Sequence, residues 1–331
     1  MSDDDRCRPQ AQCERCVVLD RRFPGYVSMT DERVLITGIN GFTGHYIADR
    51  FNQAGYSITG LGSQQEYAGA IPGVVYRQAQ LTDMAAVREA VEVLAPTVVI
   101  HLAAVAFVAH GDPNDFYRVN LMGTRNLLAA LRAIGRPLNR VMLASSANVY
   151  GVSRGGSLSE DAPTIPANDY AVSKLAMEAM ARTFSADLPI VITRPFNYTG
   201  RGQSDSFLVA KCVSHFRRRA PFIELGNIDV SRDFSDVRTL ADAYLQLSRT
   251  APVGATVNIC SGIPHSLRDI LALAEALTGH QMDVRVNPAF VRANEIPSLT
   301  GDPALLRSFA PNLHHRPLSE TLSWMLDEAP G

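Results

Sequence analysis

The strongest constraint in this sequence is a glycine-rich turn, Gly38-Ile39-Asn40-Gly41-Phe42-Thr43-Gly44, set directly between an apolar run and a helical stretch. Arg33-Val34-Leu35-Ile36-Thr37 reads as a buried strand. A helix follows to about Ala54 and is stopped by Gly55. The spacing is G-x-x-G-x-x-G rather than G-x-G-x-x-G, but the physics is shared. Glycines let the backbone approach a pyrophosphate, and the helix N-terminus offers amide donors and a positive dipole end. Three glycines can also merely make a tight turn. Their place after the first strand makes a dinucleotide site the stronger reading.

The segments that follow keep the same rhythm. Ser57-Ile58-Thr59, Val74-Val75-Tyr76, Thr97-Val98-Val99-Ile100, Arg140-Val141-Met142-Leu143 and Ile190-Val191-Ile192-Thr193 read as strands. Between them lie a helix capped by Asp83 with Val87, Ala90, Val91 and Leu94 on one face, a long helix from about 115 to 131, and another from about 170 to 184. Such alternation predicts an α/β chain: a Rossmann-type doubly wound parallel sheet covered on both faces. After Pro195 the rhythm changes, with Gly, Ser and Arg crowding 200–206, although Ala255-Thr256-Val257-Asn258-Ile259 reads as one more strand of the first sheet. The expected division is a dinucleotide-binding domain of 30–194 and 237–261 and a smaller C-terminal substrate-binding lobe of 195–236 and 262–331. Asp302 before Pro303 marks a helix start with proline at the first helical position.

Bulk properties exclude several classes. Of 331 residues, 46% are apolar and 19% charged, and the net charge is −2, without the basic excess of a nucleic-acid binder. No apolar stretch is long enough to span a bilayer, and no apolar signal-peptide core follows the N-terminal charges, so a cytoplasmic protein without a membrane partner is expected. Segment 1–28 lacks apolar periodicity and is expected to be a disordered tail, with Met29 a candidate start of the functional protein. Its Cys13 and Cys16 form a C-x-x-C pair, but no histidine lies nearby to help complete four zinc ligands, so no metal is expected.

The chemistry-bearing pattern is Tyr170-Ala171-Val172-Ser173-Lys174, which puts a phenol and an ammonium on one helix face. A nearby cation favours the phenolate and makes the phenol a better proton donor. Alone this spacing is common on solvated helices. Ser146, in Ser145-Ser146-Ala147-Asn148-Val149-Tyr150-Gly151, follows the fifth strand, where strand C-terminal ends line the ligand crevice of an open parallel sheet. A hydroxyl there can hold a carbonyl oxygen beside the tyrosine, although a turn or cap role is the plain alternative.

Gly38 to Gly44, Ser146, Tyr170 and Lys174, in this order, resemble the fingerprint of the extended short-chain dehydrogenase/reductases, over about Arg33 to Leu326. Val99-Ile100-His101-Leu102-Ala103-Ala104 and Asn120-Leu121-Met122-Gly123-Thr124 also match. The resemblance implies a catalytic Ser146, Tyr170 and Lys174. It implies a nicotinamide dinucleotide held by Gly38, Asn40, Gly41, Phe42, Thr43, Gly44, Gly62, Ser63, Leu81, Leu102, Ala103, Ala104 and Pro195, with Tyr170 and Lys174 touching it. It further implies a homodimer through the helices near 115–134 and 170–184. The second strand normally ends in an acid that bonds the adenosine ribose of NAD. Here Gly62, Ser63 and Gln64 stand at that place with neither an acid nor an arginine, so NADP(H) is the expected cofactor and NAD(H) the alternative. Gln80 departs from the aspartate that relatives often place against adenine.

Within that family, Arg194-Pro195-Phe196-Asn197-Tyr198-Thr199-Gly200, Gly226-Asn227 through Arg232-Asp233-Phe234, and Arg292-Ala293-Asn294-Glu295-Ile296-Pro297 resemble the group of GDP-mannose 4,6-dehydratases and GDP-4-keto-6-deoxy-D-mannose reductases. The resemblance implies a nucleotide-diphosphate sugar, GDP-linked, with Asn197, Arg232 and Arg292 on its diphosphate, Glu295 on ribose hydroxyls, Lys211 by the nucleotide, and Ser145 at the sugar. Arginine forks suit phosphate oxygens, although each could equally be a surface charge. Dehydratases of this group carry acids after the catalytic hydroxyl, where Ala147 and Asn148 stand here. Neither residue can act as a general acid or base at neutral pH. Reduction of a 4-keto-6-deoxy sugar is therefore expected. The rivals are a nucleotide-sugar 4-epimerase and a non-catalytic dinucleotide sensor.

Overall fold

The structure is a computed structural model that describes residues 32–106, 112–151, 156–290 and 296–327. The expected tail, Met29, the Cys13–Cys16 pair, Arg292 and Glu295 lie outside the described residues. In chain order the first elements are β1 (Arg33–Thr37), α1 (Phe42–Gln53), β2 (Ser57–Gly62), β3 (Val75–Gln78), α2 (Met84–Leu94) and β4 (Val98–His101). Next come α3 (Thr124–Ile134), β5 (Arg140–Ala144), β6 (Ser157–Leu158), α4 (Asp169–Arg182), β7 (Ile190–Pro195), β8 (Asn197–Thr199), α5 (Leu208–Arg217), β9 (Phe222–Leu225) and β10 (Ser231–Asp236). The chain closes with α6 (Val237–Thr250), β11 (Thr256–Ile259), β12 (Pro264–Ser266), α7 (Leu267–Thr278), β13 (Asp283–Val286), β14 (Ser298–Gly301), α8 (Ala304–Phe309) and α9 (Leu318–Leu326).

Seven strands form one parallel sheet in the order β3-β2-β1-β4-β5-β7-β11. Alternate side chains of β1 explain the layering. Val34 and Ile36 enter a core with Ile47 and Phe51 of α1 and with Leu240 and Tyr244 of α6. Leu35 enters the opposite core with Val87 and Val91 of α2, Leu127 and Leu131 of α3, and Met177 of α4. Both faces are thus covered, as the continuous apolar runs require. Asp83 caps α2 as expected, its Oδ1 accepting from the Ala85 and Ala86 amides at 3.0 and 3.1 Å, a contact worth ~1 kcal/mol.

Two local expectations change. The long helix expected from 115 begins as a π-helical stretch, Phe116–Gly123, and becomes α-helical only at Thr124. The wider turn sets Asn120 inward, 1% exposed, with Oδ1 accepting from the Val105 amide and Nδ2 donating to the Val105 carbonyl and to Ser173 Oγ. Such widened turns recur at functional sites. The helix expected to carry Pro303 in its first position begins one residue later, at Ala304, whose amide donates to Asp302 Oδ1 at 2.9 Å.

The chain leaves the main sheet after β7. β8 pairs with β10, and β10 belongs to a second, mixed sheet ordered β12-β10-β14-β6. β9 and β13 pair in parallel and pack with α5, α7 and α9. β11 then returns to the edge of the first sheet beside β7. Among the described residues, no helix is long and apolar enough to cross a membrane.

Candidate active site at the glycine loop

The turn after β1 is shaped by close backbone approach. Gly38 has φ +70°, and a β-carbon there would lie 2.9 Å from the Cα and N of Ala103. Gly41 caps α1 without a side-chain bond, which leaves the first amides of that helix for an outside acceptor. A β-carbon on Gly41 would meet only Gly38 O, at 3.2 Å, so this side of the turn is open. Gly38, Gly41, Phe42, Thr43 and Gly44 line a cleft with about 1210 Å³ of space open to solvent. Free amides, a positive dipole end and room for the backbone to approach a ligand fit a dinucleotide pyrophosphate.

Beneath the loop runs a buried chain of hydrogen bonds. The Ala103 amide donates to Thr37 Oγ1, and Thr124 Oγ1 donates to Asn120 O at 2.6 Å. His101 Nδ1 lies 2.7 Å from Thr37 Oγ1 and its Nε2 2.8 Å from Thr124 Oγ1. Because the Thr124 proton goes to Asn120, Nε2 carries the imidazole proton and Nδ1 accepts from Thr37. Burial first, and the nearby Lys174 charge second, push the His101 pKa down to about 3, so the ring is a neutral strut.

Ser146, Tyr170 and Lys174 meet in the same cleft. Ser146 caps the short 3-10 turn Ala147–Tyr150 by accepting from the Asn148 amide at 3.2 Å. Its hydroxyl also favours the Tyr170 phenolate, as a donor close to the phenol oxygen does. Asn168 caps α4 by accepting from the Ala171 amide at 2.9 Å, which puts Tyr170 in the first turn and Lys174 one turn later. Lys174 Nζ donates to Ala144 O at 2.7 Å. The expected lowering of the phenol pKa by this cation is corrected. Burial dominates and pushes Tyr170 up to about 12, with only the Ser146 hydroxyl opposing it. Burial likewise pulls Lys174 down to about 8, against the attraction of Glu178.

Among the other residues named from sequence, Leu102, Ala104 and Pro195 line the cleft, while Asn40, Gly62, Ser63, Leu81 and Ala103 do not. Asn40 instead ties down a neighbouring loop, donating to Glu66 O at 2.8 Å and accepting from the Ala68 amide at 3.0 Å. Ser145 and Asn197 line the cleft, but the Ser145 hydroxyl donates to Glu178 Oε1 at 2.5 Å. Lys211 and Arg232 lie outside it. Lys211 Nζ donates to Glu224 O at 2.6 Å and stands 4.5 Å from the Phe290 ring centroid. Arg232 Nη1 donates to Ser231 O at 2.8 Å. No cluster of side chains suited to a metal occurs among the described residues.

Sequence reasoning missed several walls of the cleft. Tyr198, Gln203, Phe207, Leu240, Tyr244 and Leu299 line it from β8, the loop after it, α6 and β14. Tyr198 stacks on Phe42 with centroids 6.2 Å apart and lies 2.9 Å from Thr43 Oγ1, so the second lobe touches the glycine-loop helix directly. Tyr198 follows Asn197 in a segment already singled out, and an aromatic beside that residue was the available signal.

Residues 34–260 match the NAD dependent epimerase/dehydratase family. A GDP-6-deoxy-D-talose 4-dehydrogenase of Aggregatibacter actinomycetemcomitans is 35% identical, covering 83% of this chain and 90% of the relative. A GDP-6-deoxy-D-mannose reductase of Pseudomonas aeruginosa is 36% identical, covering 64% and 73%. Among solved structures, a candidate epimerase from Burkholderia cenocepacia J2315 is 47% identical with a TM-score of 0.85, covering 91% of this chain and 98% of the other. RMD from Pseudomonas aeruginosa, complexed with NADPH, is 30% identical with a TM-score of 0.78, covering 89% and 97%. The chain belongs to the NAD dependent epimerase/dehydratase family, the extended short-chain dehydrogenase/reductases, and is an NAD(P)-dependent oxidoreductase.

Proposed function

We propose that the chain reduces the 4-keto group of a nucleotide-linked 4-keto-6-deoxy sugar, GDP-4-keto-6-deoxy-D-mannose, to GDP-D-rhamnose or its talose epimer, with NADPH preferred over NADH. One observation carries the choice of reaction. Among the described residues, no carboxylate lines the cleft, and Ala147 and Asn148 follow Ser146 where water elimination would need acids. The groups that remain, a hydroxyl, a phenol and an ammonium, suffice for carbonyl reduction. The names of the two deoxysugar relatives support the substrate class.

Bound NAD(P)H supplies the hydride that sugar C4 receives. Ser146 Oγ donates a hydrogen bond to the carbonyl oxygen and holds it beside Tyr170. Tyr170, protonated throughout the neutral range because of its burial, gives its proton to the oxygen on C4. Lys174 uses one donor on Ala144 O and has two left for the nicotinamide ribose. The amides at the start of α1 would hold the pyrophosphate, and Gly62 leaves no carboxylate to repel a 2′-phosphate. The working division is a dinucleotide-binding domain of 30–194 and 237–261 with a sugar-nucleotide lobe of 195–236 and 262–331. A homodimer would use the exposed Met122 and Val172 on the helices near 115–134 and 170–184.

Incubation with GDP-4-keto-6-deoxy-D-mannose and NADPH, followed by NMR of the product, tests this reading. Stoichiometric NADPH oxidation with a new C4 carbinol is the expected result. A second reading, nucleotide-sugar 4-epimerase, is favoured by the likeness to the Burkholderia protein. Interconversion of C4 epimers without net NADPH consumption would replace the first reading with the second.

A further inference from the structure

Helix α4 places three ionisable side chains on one buried stripe: Tyr170, Lys174 and Glu178 are 8%, 4% and 1% exposed. The first two belong to the proposed proton-handling pair. The third is a carboxylate taken almost wholly out of water, which is tolerated only when paired and hydrogen-bonded. Arg194 of β7 meets that need, with Nε donating to Oε1 at 2.9 Å and Nη2 to Oε2 at 2.7 Å. Arg194 is itself fixed, since Nη1 donates to Tyr150 Oη and to Glu160 O, both at 3.0 Å. The carboxylate therefore cannot rotate. Its Oε1 also accepts from Ser145, the residue before Ser146, at 2.5 Å.

We propose that Glu178 is a positioning residue for the Tyr170–Lys174 pair: clamped by Arg194, its carboxylate fixes the Ser145–Ser146 turn and is the buried counter-charge that keeps Lys174 an ammonium. This rests on the reading of Tyr170 and Lys174 given above. Other groups around Lys174 do not replace that charge. His101, from β4, is neutral, and Ala144 O, from β5, is a dipole. On the Glu178 side, Arg194 is the close cation, and the half-exposed Arg182 stands 3.9 Å away. Glu178 raises the Lys174 pKa against burial, so losing its charge lets Lys174 release its proton at lower pH. A merely structural ion pair would affect stability and leave this titration where it is.

Lys174 and Lys211 are the only lysines in the chain, so side-chain ¹⁵N-labelled lysine gives two signals, assigned by Lys211→Arg. The titration of Lys174 is followed in the full-length protein without sugar nucleotide. The expected midpoint near pH 8 moves to lower pH in Glu178→Gln and stays in place in Glu178→Asp, which keeps the charge. The same shift should appear in turnover: a midpoint lowered by one unit cuts the ammonium fraction at pH 8 from one half to about one eleventh, so kcat there should fall roughly fivefold. Because Glu178→Gln leaves Arg194 unpaired, Glu178→Gln with Arg194→Gln carries the test if the single variant does not fold. An unmoved Lys174 midpoint in the folded charge-free variant overturns the proposal, as does an equal shift in Glu178→Asp. The titration needs no substrate, so an expected shift in a protein inactive on keto sugars would sink the functional reading and leave this one standing.

Discussion

A β-carbon on Gly62 would lie 2.7 Å from the hydroxyl of Tyr76, so Tyr76 fills the space where a ribose-binding acid would begin. That hydroxyl is anchored, donating to Gln64 O at 3.0 Å. The missing acid at the end of β2 is therefore built into the packing of β3 as well as into the sequence. Gly62→Asp alone should lower the melting temperature and weaken both cofactors without a switch in preference. Combined with Tyr76→Phe, which leaves ring carbon at 3.6 Å and the movable end of Gln64, Oε1, at 3.2 Å, the aspartate should fit once Gln64 swings aside and move preference toward NADH. Ratios of kcat/KM for the two cofactors decide the matter. A clean switch by the single variant at unchanged stability would refute the steric argument.

Tyr170→Phe removes one hydroxyl from a side chain that is 8% exposed and packed edge-on against Phe116, so the fold should hold. General acid catalysis contributes ~10²–10⁴-fold, and kcat should fall by about that range. NADPH binding, followed by fluorescence, should persist because the proposed pyrophosphate contacts lie on the glycine loop. Near wild-type turnover in this variant would remove Tyr170 from the mechanism.

What the sequence disclosed was what local pattern encodes. The strands β1, β4, β5 and β7 are each built on a short apolar run, and the glycine turn, Ser146 and the Tyr170–Lys174 spacing are contiguous motifs. The hidden features depend on contacts between distant segments. Tyr198 reaches Thr43 across 155 positions, and Tyr244 enters the cleft from a helix whose apolar stripe reads only as core. The two-residue β6 and three-residue β8 carry no usable periodicity. The π-helical turn at Asn120 was equally hidden, because the segment's apolar spacing does not mark where a helix widens. Chemical intuition failed at Tyr170 for a related reason: neighbouring charge is visible in a motif, whereas desolvation depends on the whole surrounding fold.

The Lys174 pKa, drawn down to about 8 by burial, sets the pH dependence. Its ammonium form predominates below that value and is lost above it. Tyr170, pushed up to about 12, keeps its proton throughout. Reduction should therefore run level through neutral pH and decline with a single alkaline limb near 8. kcat measured at saturating substrate between about pH 6 and 10 tests this. A limb on the acid side of neutrality would require a titrating group other than these two.

Lys211 offers the sharpest separation of substrate from cofactor. It lies one helical turn past Phe207, which lines the cleft, and its amide donates to Phe207 O at 2.9 Å. Its ammonium sits over the Phe290 ring, 4.5 Å from the centroid, and of its three donors one goes to Glu224 O, which leaves two for an outside acceptor. Lys211→Met keeps the apolar stem and removes the charge. A hydrogen bond to a charged group contributes roughly 1.5–3 kcal/mol, so the KM for the sugar nucleotide should rise roughly ten- to hundred-fold, while NADPH affinity, proposed to rest on the glycine loop, should not move. Equal weakening of both ligands would indicate that the β9–β13 region had lost its packing, since Lys211 also holds Glu224 O. An unchanged KM would place the nucleotide elsewhere and end the assignment of Lys211 to the substrate.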